Sequence, residues 1–151
     1  MNKQKLILEQ TDKRIIKFIG LEEIVPSNGW INSIRTSLHM SLRQLAKRLN
    51  ITTPSVKEIE DREKRGTVSI NVLKQVGNVL NMKLVYGFIP QGGTIEQMIE
   101  ERASEIAKEI VLRTSNTMHL EDQGNTEERI SKAIQEKKEE IIRKMPRYLW
   151  D

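Results

Sequence analysis

Cysteine is absent from this chain of 151 residues, which removes disulfides, thiol catalysis and cysteine-ligated metal sites together. Histidine is almost as scarce: His39 and His119 are the only two, far apart in sequence, and neither stands near a nucleophile or in a metal-ligand spacing. No glycine-rich phosphate loop occurs, and adjacent acids such as Glu100-Glu101 and Glu139-Glu140 point to different sides of a helix. The expectation is therefore no enzyme, no metal and no cofactor. Aromatic residues make up only 4% of the chain against 30% charged, and no apolar run approaches a membrane span. Charged and polar residues also interrupt the apolar ones at the N-terminus, so no signal peptide is expected, and a cytoplasmic protein fits.

What is present is charge, unevenly placed. The formal net charge of +4 divides into +6 over residues 29–93, −4 over residues 94–123 and +1 in each flank. Clustered cations favour phosphate and a negative face does not, so a basic module followed by an acidic helix suggests two partners of opposite sign. The plainer account is that each is a solvated helix face.

The most informative stretch is residues 41–65. Ser41 is a good N-cap, and Leu42, Leu45, Ala46 and Leu49 recur at helical spacing. Asn50 tolerates the left-handed conformation of a sharp exit, Thr52 offers a new capping hydroxyl, and Pro54 falls in the first turn of a second helix that buries Val56 and Ile59. A helix, a short turn and a helix make the bihelical DNA-reading unit. Glu63-Lys64-Arg65-Gly66 then reads as a polar loop able to rest on phosphates.

Around this stretch the chain is organised as an N-terminal helical arm over 1–28, a DNA-binding domain over 29–93 and a C-terminal helical region over 94–151. In the arm, Leu6, Ile7, Ile15, Phe18 and Ile19 share one side of a helix ringed by lysines, to dock on a core or a second protomer, or to touch DNA backbone. Pro26-Ser27-Asn28-Gly29 breaks it. Trp30, Ile31, Ile34 and Leu38 form a next helix, and Ser69 caps another carrying Val72, Leu73, Val76, Val79 and Leu80. Leu84-Val85-Tyr86-Gly87-Phe88-Ile89 reads as one short β-strand, which must pair with its copy in a homodimer, pair with a different chain, or pack back on its own domain. Thr94 caps a long helix whose stripe of Ile95, Met98, Ile99, Ala103, Ile106, Ala107, Ile110 and Val111 needs a surface and is available for association. The last helix, with Ile130, Ile134, Ile141 and Met145, folds back as a hairpin or becomes ordered on a partner. Tyr148-Leu149-Trp150 resembles an anchor for a partner's pocket.

The run Met40 to Glu60 resembles the helix-turn-helix of the Xre family, to which the phage repressors and Cro belong; Leu45-Ala46, Ile51, Val56 and Ile59-Glu60 fall in register. The resemblance covers about residues 29 to 90. It implies an all-α fold, a four-to-five-helix lambda-repressor-like DNA-binding domain, here with the short strand and a C-terminal helical extension. It also implies a structural ion pair between Arg35 and Glu60. In the docked geometry the front of the second helix meets base edges, which makes Thr53, Ser55, Lys57 and Glu58 the base-reading candidates and Arg43, Lys47, Arg48, Arg62, Lys64 and Arg65 the phosphate candidates. Family members often carry glutamines where this chain has none, so its target sequence is not given by analogy.

A wider pattern, Gly29-Trp30-Ile31, Leu84-Val85-Tyr86 and Thr117-Met118-His119-Leu120-Glu121, resembles a narrower bacterial family, mobile mystery protein A. Its members are typically encoded beside a Fic-domain partner, like an antitoxin with its toxin. The resemblance implies an autoregulating, homodimeric transcriptional regulator that binds promoter DNA and neutralises a Fic-domain protein. Thr117 and Glu121 match part of the inhibitory helix of Fic inhibitors, but Asp122 stands where that motif has Gly or Asn, and an ordinary helix end explains them as well. A phage-type repressor without a toxin partner, and a protein-binding inhibitor with a vestigial helix-turn-helix, are the alternatives.

Overall fold

The computed structural model describes residues 2–120 and 127–151. It is all-helical: α1 (Lys3–Ile15), α2 (Trp30–Ser37), α3 (Leu42–Leu49), α4 (Thr53–Arg65), α5 (Ile70–Val79), α6 (Ile95–Leu120) and α7 (Glu127–Lys144), with short 3-10 segments between and after them. Among the described residues no strand forms, and no helix is long and apolar enough to cross a membrane.

The chain divides into two compact units. One is Phe18–Phe88, which holds α2 to α5. The other joins the chain before Phe18 to Ile89–Asp151, so α1 belongs with α6 and α7 rather than standing as a separate arm over 1–28. Two contacts explain that placement. Leu8 packs on the core of α6 and α7, and the Asp12 carboxylate accepts the backbone N–H groups of Ile95 and Glu96 at 2.8 and 3.2 Å. An anion there satisfies donors that the start of α6 would otherwise leave open. Thr94 and Gln97 complete the cap reciprocally, at 3.1 and 3.0 Å.

In the Phe18–Phe88 unit, Leu45, Val56 and Val76 are fully enclosed, joined by Ile31, Ala46 and Leu80 and ringed by Ile34, Leu42, Leu49, Ile59 and Leu73. Every one of these sits at helical spacing on its own element, which is why four short helices can close a single core. Residues 84–89 do not form the expected strand. A strand is defined by its ladder, and no backbone hydrogen bond joins residues 84–88 to another described segment.

In the other unit, α6 and α7 run antiparallel. Ile99, Ala103, Ile106 and Ala107 are buried against Ile141 and Leu149, with Leu8, Ile95, Ile110, Ile134, Ile142 and Met145 around them. Ala103 and Ala107, one turn apart and fully enclosed, let the facing helix approach closely. Most of the apolar stripe of α6 is thus covered within its own unit, with Met98 left exposed, and the hairpin expectation for the last helix holds. Leu149 is likewise spent internally rather than on a partner's pocket: it lies in the core while Arg102 donates to the carbonyls of Leu149 at 2.7 Å and Asp151 at 2.6 Å. Tyr148 and Trp150 remain exposed.

Candidate nucleic-acid interface

The α3–α4 joint is built by local chemistry. Ser41 and Gln44 cap α3 reciprocally, at 3.1 and 2.8 Å. Asn50 closes it in the left-handed region, φ 56° and ψ 43°, and Ile51 N–H returns to the Ala46 carbonyl at 3.0 Å. Thr52 Oγ1 then accepts the Ser55 N–H at 3.2 Å, and Pro54 occupies the first turn of α4. Three residues therefore carry the chain from one helix to the next.

Beneath the joint lies the one buried acid among the described residues. Glu60 is 3% exposed and accepts from Arg35 Nε at 2.6 Å and Nη2 at 3.3 Å, while Nη1 donates to the Met40 carbonyl at 2.9 Å. A planar guanidinium satisfies both carboxylate oxygens and ties α2 to α4 in one orientation.

A second carboxylate of α4 performs a role that the sequence did not disclose. Glu63 and its neighbours are the last helical turn, not a loop, and α4 ends at Gly66 in the left-handed region. The two Glu63 oxygens accept the backbone N–H groups of Trp30 and Ile31, both at 2.8 Å, and so cap the start of α2. Gly29 makes room: a Cβ there would lie 2.8 Å from Glu63 Oε1. The partners are 32 and 33 residues apart, and no local motif encodes that distance.

The sequence-predicted base readers lie on the front of α4, but they are not equally free. Thr53 is half-buried, and the Ser55 hydroxyl sits 2.7 Å from that of Thr52. Lys57 is exposed and pairs one turn on with Asp61 at 3.3 Å. Glu58 accepts from Arg62 at 3.1 Å and Arg65 at 3.3 Å, which brings one reading candidate together with two phosphate candidates. These are open surface pairs of small net strength, so a phosphate can replace Glu58 as the partner of either arginine. Arg43, Lys47, Arg48 and Lys64 are exposed and make no ion pair among the described residues. Lys47 and Arg48 flank a hollow of about 590 Å³ lined also by Leu38, His39, Met40 and Gln44.

Among the described residues no group of three His, Asp or Glu side chains could hold a metal ion. The Thr117 side chain and Glu121 lie outside the described residues. No family model, curated protein or solved structure matches the chain. The resemblances stated above rest on their own residues.

Proposed function

We propose that the chain is a sequence-specific DNA-binding transcriptional regulator whose Phe18–Phe88 unit is a lambda-repressor-like helix-turn-helix domain. The observation that carries this reading is the α3–α4 joint. The Arg35–Glu60 clasp beneath it is buried, while Ser55 and Lys57 face solvent at the front of α4, with six exposed cations on α3 and α4 around them. In this reading α4 enters the major groove, Ser55 and Lys57 meet base edges, Thr53 and Glu58 lie beside them, and the cations settle on phosphates. Two copies occupy two half-sites and repress by occlusion, on the chain's own promoter.

The family resemblance adds a Fic-domain partner, with this chain as the antitoxin. Because most of the stripe of α6 is already covered, such a partner is left the exposed acids Glu96, Glu100, Glu101, Glu105 and Glu109, with the exposed Met98. The same coverage favours a second reading, a phage-type repressor with no toxin partner. Co-purification with the product of the neighbouring gene separates the two.

The DNA half is tested by titrating the upstream DNA of the gene against an unrelated duplex. Replacing Ser55 or Lys57 by Ala should weaken only the specific complex, by about 1–3 kcal/mol for a base-reading contact. Arg48→Ala should weaken both complexes and flatten the salt dependence by about one phosphate contact. An unchanged ratio of specific to non-specific affinity in the Ser55 and Lys57 variants would sink the base-reading assignment.

A further inference from the structure

Residues 84–88 leave unused the apolar surface that a chain so poor in aromatics would be expected to bury. Val85 is 69% exposed, Tyr86 61% and Phe88 83%. Among the described residues the backbone of 84–88 makes no backbone hydrogen bond, yet the segment is held in place. Gly87 lies flat under the Phe18 ring, where a Cβ would fall 2.8 Å from the ring carbons. One side of the segment is therefore closed by its own unit, and the other is presented outward.

Beside it is a hollow of about 340 Å³ lined by Trp30, Ile34, Leu73, Met82, Leu84 and Val85. Protruding side chains and an apolar hollow on one patch are the two halves of a self-complementary surface, which is what a two-fold pairing requires. Charge agrees. Residues 84–95 carry no charged side chain in a chain that is 30% charged, so a second copy meets no like charge in this segment. The rim of the hollow holds one acid, Glu63, and one base, Lys83, rather than charges of one sign. Nor does the edge carry the lysine or proline by which exposed edges are guarded within residues 84–89.

We propose that this patch is the docking site of a second copy of the chain: residues 84–88 of two copies pair antiparallel about a two-fold axis, with Tyr86 and Phe88 of each copy seated against its partner's hollow. The exposed shares of the two aromatic rings amount to roughly 300 Å² per copy. That is more than a third of the roughly 800 Å² per partner of a stable interface, and Val85, Met82 and Trp30, all exposed, extend it. Because Phe18 blocks one side, the pairing closes at two copies instead of propagating. The inference deepens the DNA-reading proposal by naming the surface that sets the spacing of its two α4 helices.

The test is the mass of the full chain in solution, measured without DNA. The wild-type chain should be a dimer, and Phe88→Glu should raise the dimer dissociation constant about a hundredfold or more. Its melting profile as a monomer should be unaltered, since Phe88 touches so little of its own chain. Because no native cysteine competes, single cysteines give an independent readout: Val85→Cys or Tyr86→Cys should oxidise to a covalent dimer, and Asn71→Cys on α5 should not. A monomeric wild-type chain, a dimer indifferent to Phe88→Glu, or a dimer that neither cysteine links would each overturn the proposal. A monomer that still discriminates its operator sinks the dimer patch alone, and a dimer without discrimination sinks the DNA reading alone.

Discussion

Replacing Arg35 by methionine should be among the most damaging single changes available in the Phe18–Phe88 unit. The substitution keeps much of the side chain's apolar length and removes only the guanidinium. Glu60, 3% exposed, then loses both charge-assisted bonds, at 2.6 and 3.3 Å, and the Met40 carbonyl loses its donor at 2.9 Å. Breaking a buried pair by deleting one member costs about 3–5 kcal/mol, because the surviving charge stays desolvated. Against a total of about 5–15 kcal/mol for a domain, that is roughly a fifth of the stability at the least and most of it at the upper end. At about 4–8 °C per kcal/mol for a domain of this size, the melting temperature should fall on the order of 15–30 °C. Removing both charges, in Arg35→Met with Glu60→Leu, should recover most of the loss. Each unit carries one tryptophan, so denaturant titration followed by Trp30 fluorescence in a Trp150→Phe background reports this unit alone. A cost below about 1 kcal/mol for Arg35→Met, or a double variant no better than the worse single, would refute the assignment of the pair as a structural clasp.

In the other unit, Asp12→Ala should cost about 1–2 kcal/mol by uncapping α6, with faster amide exchange confined to Ile95 and Glu96 as its signature. Leu149→Ala should cost about 2–5 kcal/mol, as for other enclosed leucines, and the melt followed at Trp150 should show it; an unchanged melt would mean that the tail is dispensable. Glu140 is held by bonds from Lys144 at 2.7 Å and Lys137 at 3.1 Å, which lower its pKa from 4.5 to about 2. A carboxylate with a depressed folded pKa stabilises above its unfolded value, so this contribution is present at neutral pH and fades as the pH falls from 4.5 toward about 2. Glu140→Gln should make stability less steep across that acidic window and leave its slope above it unaltered.

Most of what depends on neighbours a few residues apart was legible in the sequence, the last turn of α4, read as a loop, being an exception. Ser41, Thr52 and Ser69 cap the helices they precede, Asn50 turns left-handed where a sharp exit was expected, and the apolar spacing of Leu45, Val56 and Val76 picks out side chains the core encloses. The remote caps were not legible. Glu63 and Asp12 look like ordinary surface acids in sequence, and only the folded chain brings them to helix starts 32 and 83 residues away. The strand over 84–89 failed for a different reason: strand formers supply propensity, but a ladder needs a partner that a single copy does not provide. The stripe of α6 was correctly apolar, but the sequence left open whether a folded-back last helix or a partner would cover it, and gave no sign that Leu149 would join the cover.

The discontinuity of the second unit carries a consequence for how the chain is made. Residues 18–88 contain everything needed to close their own core, so as the chain emerges from the ribosome they can fold while α1 waits, its apolar side uncovered, for α6 and α7 to be synthesised. Asp12 meets Ile95 only then, and Leu149 seals the unit last. Liberating the first-folded unit intact would require two backbone cuts, one near residue 17 and one near residue 88; a single nick at either junction leaves it tethered to the other end of the chain.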